Sequence, residues 1–391
     1  MIKNLPQGWR VEELNKCGKI VTGKTPSKLV KEYWNSKDIP FVKPDDFKND
    51  DIIEFESGKD FISKQGFEKA TKIPPYSVLV TCIGNIGKIL INKNFITTNQ
   101  QINTIIPHKN IHYKYLAYAI QKIKPIMIKR ANAPVVPIIN KTDFGKFEIP
   151  IPPLPQQEKI VKVLDNSSSL VEQQKQLIKK YDVFLKSKFI EMFGKFLDNM
   201  LNSKSLKEVC HFIDYRGKTP NKVEYGIKLI TAKNVKPYHI EENPAEYMDV
   251  SSYESWTSRG IVKKGDVLFT TEAPLGNTAK ITTNDIFVIG QRLIALTPKA
   301  LLNSDYLVYC LSFISIQNQI NKKATGSTVK GIRSKELAKI ILPIPPLELQ
   351  NKFASIVEKI EAIKEKETQK LNHLETLHVS LMDKAFKGEI G

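Results

Sequence analysis

Ile149-Pro150-Ile151-Pro152-Pro153-Leu154 and Leu342-Pro343-Ile344-Pro345-Pro346-Leu347 are one hexapeptide written twice, 193 residues apart. Other landmarks recur around them in the same order. Gly23-Lys24-Thr25-Pro26 returns 194 residues later as Gly217-Lys218-Thr219-Pro220, and Tyr115-Leu116-Ala117-Tyr118 returns 191 later as Tyr306-Leu307-Val308-Tyr309. Val78-Leu79-Val80-Thr81 and Val267-Leu268-Phe269-Thr270 stand 189 apart, and each runs into a glycine loop (Gly84-Asn85-Ile86-Gly87; Gly276-Asn277). Asn99-Gln100-Gln101-Ile102 answers Gly290-Gln291-Arg292-Leu293 at 191. Cys17 and Cys210, again 193 apart, are then equivalent core positions and not a redox pair. One shared tetrapeptide is chance, but six ordered landmarks with slowly drifting offsets are a tandem duplication. The drift marks loops that differ between the copies, as surface connections do more than the elements they join.

Short apolar runs bounded by Gly, Pro, Asn and Asp predict strands at Ile39–Val42, Val78–Ile83 and Ile102–Ile106. The second copy has them at Leu229–Ile230, Val267–Thr270 and Ile286–Ile289. Tyr113–Lys124 and Ser304–Ile320 have the periodicity of amphipathic helices, so each copy reads as a mixed α/β module.

After each Pro-Pro-Leu the pattern changes. From Gln156 to Phe193, and from Glu348 to Phe386, there is no Pro or Gly, and Asp165–Ser169 is the one turn-like cluster. A proline-rich entry holds the chain extended just before a helix begins. Each copy is thus predicted to end in one long helix, with Gly194 and Gly388 as stops. A heptad frame places Phe353, Ile360, Leu374 and Leu381 at one seam position and Ile356, Ile363 and Leu377 at the other. The first copy sets Ile160 and Tyr181, with Val163, Leu170, Leu177 and Phe184, at the matching sites. Neither helix would hold alone in water. Antiparallel pairing within the chain is the favoured solution. The layout is a module at 1–152, a helix at 153–196, a module at 197–344 and a helix at 345–391.

Lys and Arg number 59 against 41 Asp and Glu, a net charge of +18, which points to a polyanion such as nucleic acid or an anionic membrane. Roughly +10 of the surplus falls in residues 1–150, part of it from Lys122, Lys124, Lys129 and Arg130. No apolar run approaches the ~18 residues of a spanning helix. The first residues show no signal-peptide core, and the four cysteines form no CxxC pair, so a cytoplasmic setting is expected.

Three motifs invite a chemical reading. Gly18–Thr25 matches GxxxxGK[ST], but a phosphate-cradling loop needs a buried strand before it and a helix after it. Arg10–Lys16 is too polar for that strand, Pro26 follows at once, and the second copy has Phe212 in place of the first glycine. Ile73-Pro74-Pro75-Tyr76 resembles an amino-methyltransferase loop, yet Ile73 cannot accept a hydrogen bond from a target amine. The six histidines are dispersed, with no metalloprotease or triad signature. No catalytic residue and no metal site are expected.

The order of landmarks resembles the specificity (S) subunits of Type I restriction–modification systems. The resemblance is carried by Leu5-Pro6-Gln7-Gly8-Trp9, by Gly-Lys-Thr-Pro early in each copy, by Gly326-Ser327-Thr328-Val329-Lys330, and by Pro152–Val161 opening a long helix. The first copy departs from it at Ala133-Pro134-Val135-Val136-Pro137. The resemblance implies that each module is a target-recognition domain reading half of a split DNA site. It makes the helices an antiparallel coiled coil serving as a ruler. It also implies two modification subunits that use S-adenosylmethionine and two restriction subunits that use ATP, with Mg, leaving no cofactor on this chain.

Base readout then falls to loop side chains able to make paired hydrogen bonds. The candidates are Asn85, Gln100 and Gln101 in the first copy and Asn277, Gln291 and Arg292 in the second. Lys24, Lys43, Lys218, Lys233, Lys330 and Arg333 are candidate phosphate contacts, which position without specifying. Two other readings compete: an ATP-dependent enzyme built on Gly18–Thr25, and a coiled-coil scaffold for RNA or protein.

Overall fold

The computed structural model describes residues 5–47, 52–131, 136–215 and 219–390. It divides into two compact units: residues 1–175 with 370–391, and residues 176–369. The cut passes through both long helices, so each unit holds one module and part of each helix.

Within the first unit the central sheet runs in the order Gly18–Thr22, Ile102–Pro107, Val78–Thr81, Ile89–Asn92, Ile53–Phe55. All neighbours are antiparallel except the last pair. The second unit repeats its core as Cys210–Asp214, Leu293–Pro298, Val267–Thr270, Thr278–Lys280. The register is retained: Val78 faces Ile105, and Val267 faces Leu296. Each unit adds a second sheet around one parallel pair, Ile39–Val42 with Thr97–Thr98 and Ile227–Ile230 with Phe287–Ile289. An antiparallel ribbon closes each module, Arg10–Glu13 on Glu148–Ile151 and Lys204–Ser205 on Ile341–Leu342. The proline-rich hexapeptides begin on these ribbons, at the point where the chain leaves the sheet for the long helix.

The first module helix extends to Tyr113–Arg130, past its expected end and through Pro125. The expected Ser304–Ile320 helix is instead two, Ser304–Leu311 and Ile314–Lys323. The break carries Phe313 toward an aromatic cluster, 6.4 Å from Phe189.

The long helices are Leu154–Asn199 and Leu347–Lys387. Gly388, at φ +78°, ends the second as expected, but Gly194 does not end the first. Phe193 and Leu197 on either side of it are buried in the second unit's core. Burial of that size outweighs the roughly 1 kcal/mol that one interior glycine costs a helix.

Each module is capped by the start of its own helix and the end of the other. In the first unit Ile160 and Leu164 share the core with Met382 and Phe386. In the second, Phe353 and Val357 share it with Phe189 and Phe193. Tyr115 meets Phe386 at 5.4 Å between centroids, and Tyr306 meets Phe193 at 4.8 Å. Both tyrosines donate to proline carbonyls of the hexapeptides, Pro150 at 2.6 Å and Pro343 at 2.8 Å.

Ion pairs and hydrogen bonds confirm the antiparallel sense. Ser167 Oγ lies 2.7 Å from His378 Nδ1 while Lys175 pairs with Glu375 at 3.0 Å. In the second unit Lys364 reaches Asp182 at 2.6 Å. The seam phase, however, differs from the heptad expectation. Ile160 and Phe353 are fully buried, and Val163, Leu177, Tyr181, Ile356, Ile360, Leu374 and Leu381 are half-buried. Leu170, Phe184, Ile363 and Leu377 are 49, 47, 38 and 50% exposed and are not seam residues. The second seam line is instead Gln157, Leu164, Val171, Ile178 and Leu185, with Gln350, Val357, Lys364, Leu371 and His378 on the partner helix.

A buried glutamine stands at each helix entrance. Gln157 Oε1 accepts from the His112 N–H at 2.8 Å, and its Nε2 donates to Asn110 O and Pro152 O. Gln350 repeats this with the Asn303 N–H at 2.9 Å, Leu301 O and Pro345 O. Three hydrogen bonds fix the rotation of the first helical turn, and every later seam position follows in 3-4 steps. Farther along the first helix, Lys114 bridges Glu54 at 2.7 Å and Asp165 at 2.8 Å, and the Tyr118 hydroxyl donates to Asp165.

Candidate nucleic-acid interface

Three loops meet at the same edge of each central sheet, joined by equivalent backbone hydrogen bonds. In the first unit the Cys82 N–H donates to Gln101 O at 3.0 Å, and the Ile139 N–H donates to Cys82 O at 2.9 Å. In the second, Thr271 N–H donates to Arg292 O at 2.9 Å, and Ile332 N–H to Thr271 O at 3.0 Å. The strand end, the turn before the last sheet strand, and the loop before the closing ribbon are thereby set side by side twice.

The Gly-Lys-Thr-Pro segment packs on the same turn. Thr25 Oγ1 donates to Gln100 Oε1 at 2.9 Å, and Gln291 Nε2 donates to Thr219 Oγ1 at 3.5 Å. The approach is so close that a Cβ on Gly23 would sit 2.1 Å from Asn99 O. In the first unit this close packing, rather than nucleotide binding, is a physical reason for the glycine. Gly18–Thr22 is itself a sheet strand, and a Cβ on Gly18 would meet Ile106 O at 2.3 Å. The ATP-enzyme reading therefore lacks its loop.

The structure brings several of the expected site residues together. Gln291, Arg292 and Arg333 line one cleft of about 300 Å³ with Thr325 and Val329, next to the exposed Lys330. Gln100 is exposed, and Gln101 is half-buried with its Oε1 held by the Asn99 amide at 2.9 Å. Asn85 is exposed beside a cleft of about 640 Å³ lined by Lys88 and Lys124, two basic groups that the base-readout and phosphate expectations did not include. Lys124 belongs to the basic cluster of the Tyr113–Arg130 helix.

Asn277 is not the counterpart of Asn85. The turns superpose on the Gly87 and Gly276 N–H groups, which donate to Thr81 O and Thr270 O, both at 2.9 Å. Lys88 and Asn277 then share a place, each N–H donating to the preceding threonine hydroxyl. The Asn277 amide is committed to Val235 O at 3.0 Å, so it braces the loop.

The candidate phosphate contacts are unequal. Lys24 is exposed in its turn, as are Lys330 and Arg333. Lys43 is tied to Asp60 at 2.7 Å, and Lys233 lies 3.5 Å from Glu246. Lys218 lies outside the described residues, as do Ala133, Pro134 and Val135. Within the basic cluster, Lys122 pairs with Asp383, and Arg130 lies over the Phe147 ring at 5.0 Å.

Cys82, at the base of this edge, has its thiol pushed up to about 12 by burial, against hydrogen bonds from Asn103. Burial does the same to Cys17, Cys210 and Cys310. Among the described residues no His, Cys, Asp and Glu cluster could hold a metal ion, and no helix is long and apolar enough to cross a membrane.

Duplicated mixed α/β modules, each ending in a long helix and each offering a loop-built polar edge, define a tandem two-module fold. The family model for the Type I restriction modification DNA specificity domain matches residues 6–180 and again 201–376, and the chain belongs to that family. It is 22% identical over 386 residues to the Type I restriction enzyme MjaIX specificity subunit of Methanocaldococcus jannaschii, spanning 92% of this chain and 88% of that one. Against the EcoKI specificity subunit of Escherichia coli the identity is 21%, over 99% of this chain and 90% of the relative. Among solved structures, the S subunit from M. genitalium superposes with a TM-score of 0.51 at 17% identity, covering 98% of this chain and 97% of that one. A chain from a type I R-M assembly gives 0.58 at 18%, covering 99% and 100%. These likenesses establish the fold.

Proposed function

We propose that this chain is a non-catalytic DNA-specificity subunit that reads a bipartite duplex site, one half with each module. The observation that carries the proposal is the twice-built loop edge, on which the same backbone bonds present different side chains. Gln100 and Gln101 stand in one unit where Gln291 and Arg292 stand in the other. A scaffold for identical partners would have no use for such divergence on a retained frame. Exposed Lys24, Lys330 and Arg333 would supply the sequence-independent grip on phosphates. The paired helices would set the spacer between half-sites. Chemistry would come from partners: two modification subunits that methylate adenine with S-adenosylmethionine, and two restriction subunits that use ATP and Mg to cleave. This chain would hold no cofactor of its own.

The test is a module exchange. Replacing residues 1–150 by those of another family member, in complex with the modification subunit, should change one half of the methylated motif and leave the other intact. Alteration of both halves, or of neither, would overturn the modular reading.

A further inference from the structure

The two loop edges differ in one charged device. In the second unit Arg292 Nε contacts Glu272 Oε1 at 2.8 Å, and both side chains reach solvent in the cleft with Gln291, Thr325 and Arg333. The backbone bonds that equate Thr271 with Cys82, and Arg292 with Gln101, put Ile83 where Glu272 stands. The isolated bridges agree, since Ile83 pairs with Ile138 and Glu272 with Gly331. The first unit thus has an apolar and a neutral side chain where the second has an acid and a base.

We propose that Glu272 and Arg292 act as one reading pair that selects a G·C base pair in the half-site taken by the second module. This inference rests on the DNA-reading function proposed above. A carboxylate on a surface that faces phosphates is repelled unless a donor meets it. In the major groove the donors on base edges are the amino groups of cytosine N4 and adenine N6. The guanidinium fork, in turn, needs two adjacent acceptors. A G·C pair presents guanine N7 and O6 and then cytosine N4 in one row: acceptor, acceptor, donor. An A·T pair presents acceptor, donor, acceptor, and so offers the guanidinium fork no two adjacent acceptors. The Nε contact keeps the carboxylate beside the fork and leaves the terminal amino groups to span N7 and O6.

The experiment maps adenine methylation genome-wide with the full chain in complex with its modification subunit. The wild type should direct a split motif with a fixed G·C pair in the second module's half. In Glu272→Gln and Arg292→Gln that position should lose preference by about tenfold or more, with the other half unchanged. The double variant Glu272→Ile with Arg292→Gln installs the residues the first unit already carries, and it decides the matter if a single variant is inactive. A second half lacking a fixed G·C pair, or variants with the wild-type motif, would overturn the pair while leaving DNA reading intact. A wild type that directs no split motif would overturn the underlying function instead.

Discussion

Replacing Gln157 by Leu removes three hydrogen bonds without opening a cavity of any size, since the two side chains have similar volume. The His112 N–H and the Asn110 and Pro152 carbonyls lose their partner at a site where Gln157 is 1% exposed. A buried polar group left without a partner costs about 1–3 kcal/mol. Water can reach some of these groups once the glutamine is gone, so the low end applies to each, and the loss should be about 3 to 5 kcal/mol. Gln350→Leu should cost the same, because its three partners are arranged in the same way. The two sites lie in different compact units and share no partner, so the double variant should be close to additive. Urea unfolding of the full chain is the first assay, analysed with a transition for each unit rather than as two-state. Native-state hydrogen exchange at the His112 and Asn303 amides gives a local readout and should speed by about 100-fold or more, following the same free energy. A loss below about 1 kcal/mol at both sites, with unchanged exchange, would refute the claim that these glutamines set the rotation of the helices.

The corrected seam makes a paired expectation: Leu185→Ala should cost about 2–5 kcal/mol as a core truncation, whereas Phe184→Ser one residue away should cost under about 1 kcal/mol, compared by thermal unfolding. All four cysteines should resist a thiol reagent at pH 8 until denaturant is added, because burial holds their pKa near 12; rapid labelling of the native chain would contradict their packing. The hydrogen bond from Lys114 holds the Glu54 carboxyl below its ordinary value of 4.5 against opposing burial, with Lys93 assisting. A depressed carboxyl stabilises the fold above the unfolded value, so this contribution is present above pH 4.5 and is lost as pH falls through the folded pKa; Glu54→Gln should flatten the acid limb of stability measured between pH 5 and 3. Lys24→Ala should weaken binding to every duplex alike and reduce the salt slope of log K by about 1, with the methylated motif unchanged.

What could be read from the chain alone was whatever the duplication repeated. The strands at Ile39–Val42 and Val267–Thr270, the paired tyrosines, and the entry of each long helix after Pro-Pro-Leu all appear where the offsets placed them. The misses share a different cause. The heptad frame started from Ile160 and counted three onward to Val163, because a search for apolar residues passes over Gln157, whose role depends on partners about 45 residues away. Gly194 looked like a stop because local propensity carries no knowledge that Phe193 and Leu197 enter a core. Asn85 and Asn277 share a Gly-Asn dipeptide, whereas the turn is registered on Gly87 and Gly276. Gln291, Arg292 and Arg333 have bidentate or ionic capacity that the chain alone displays, and the fold brings them into one cleft. Glu272 escaped notice because nothing local distinguishes an acid that faces a binding cleft from one on an ordinary loop.

The central claim is that two non-equivalent heads read two separate half-sites. Sequencing the adenine methylation directed by the wild-type chain with its modification subunit tests it most directly. A split, asymmetric motif with a spacer of fixed length, whose halves respond separately to changes at Gln100 and at Arg292, is the expected result. A continuous motif, or a split one in which both halves respond to either change, would contradict it.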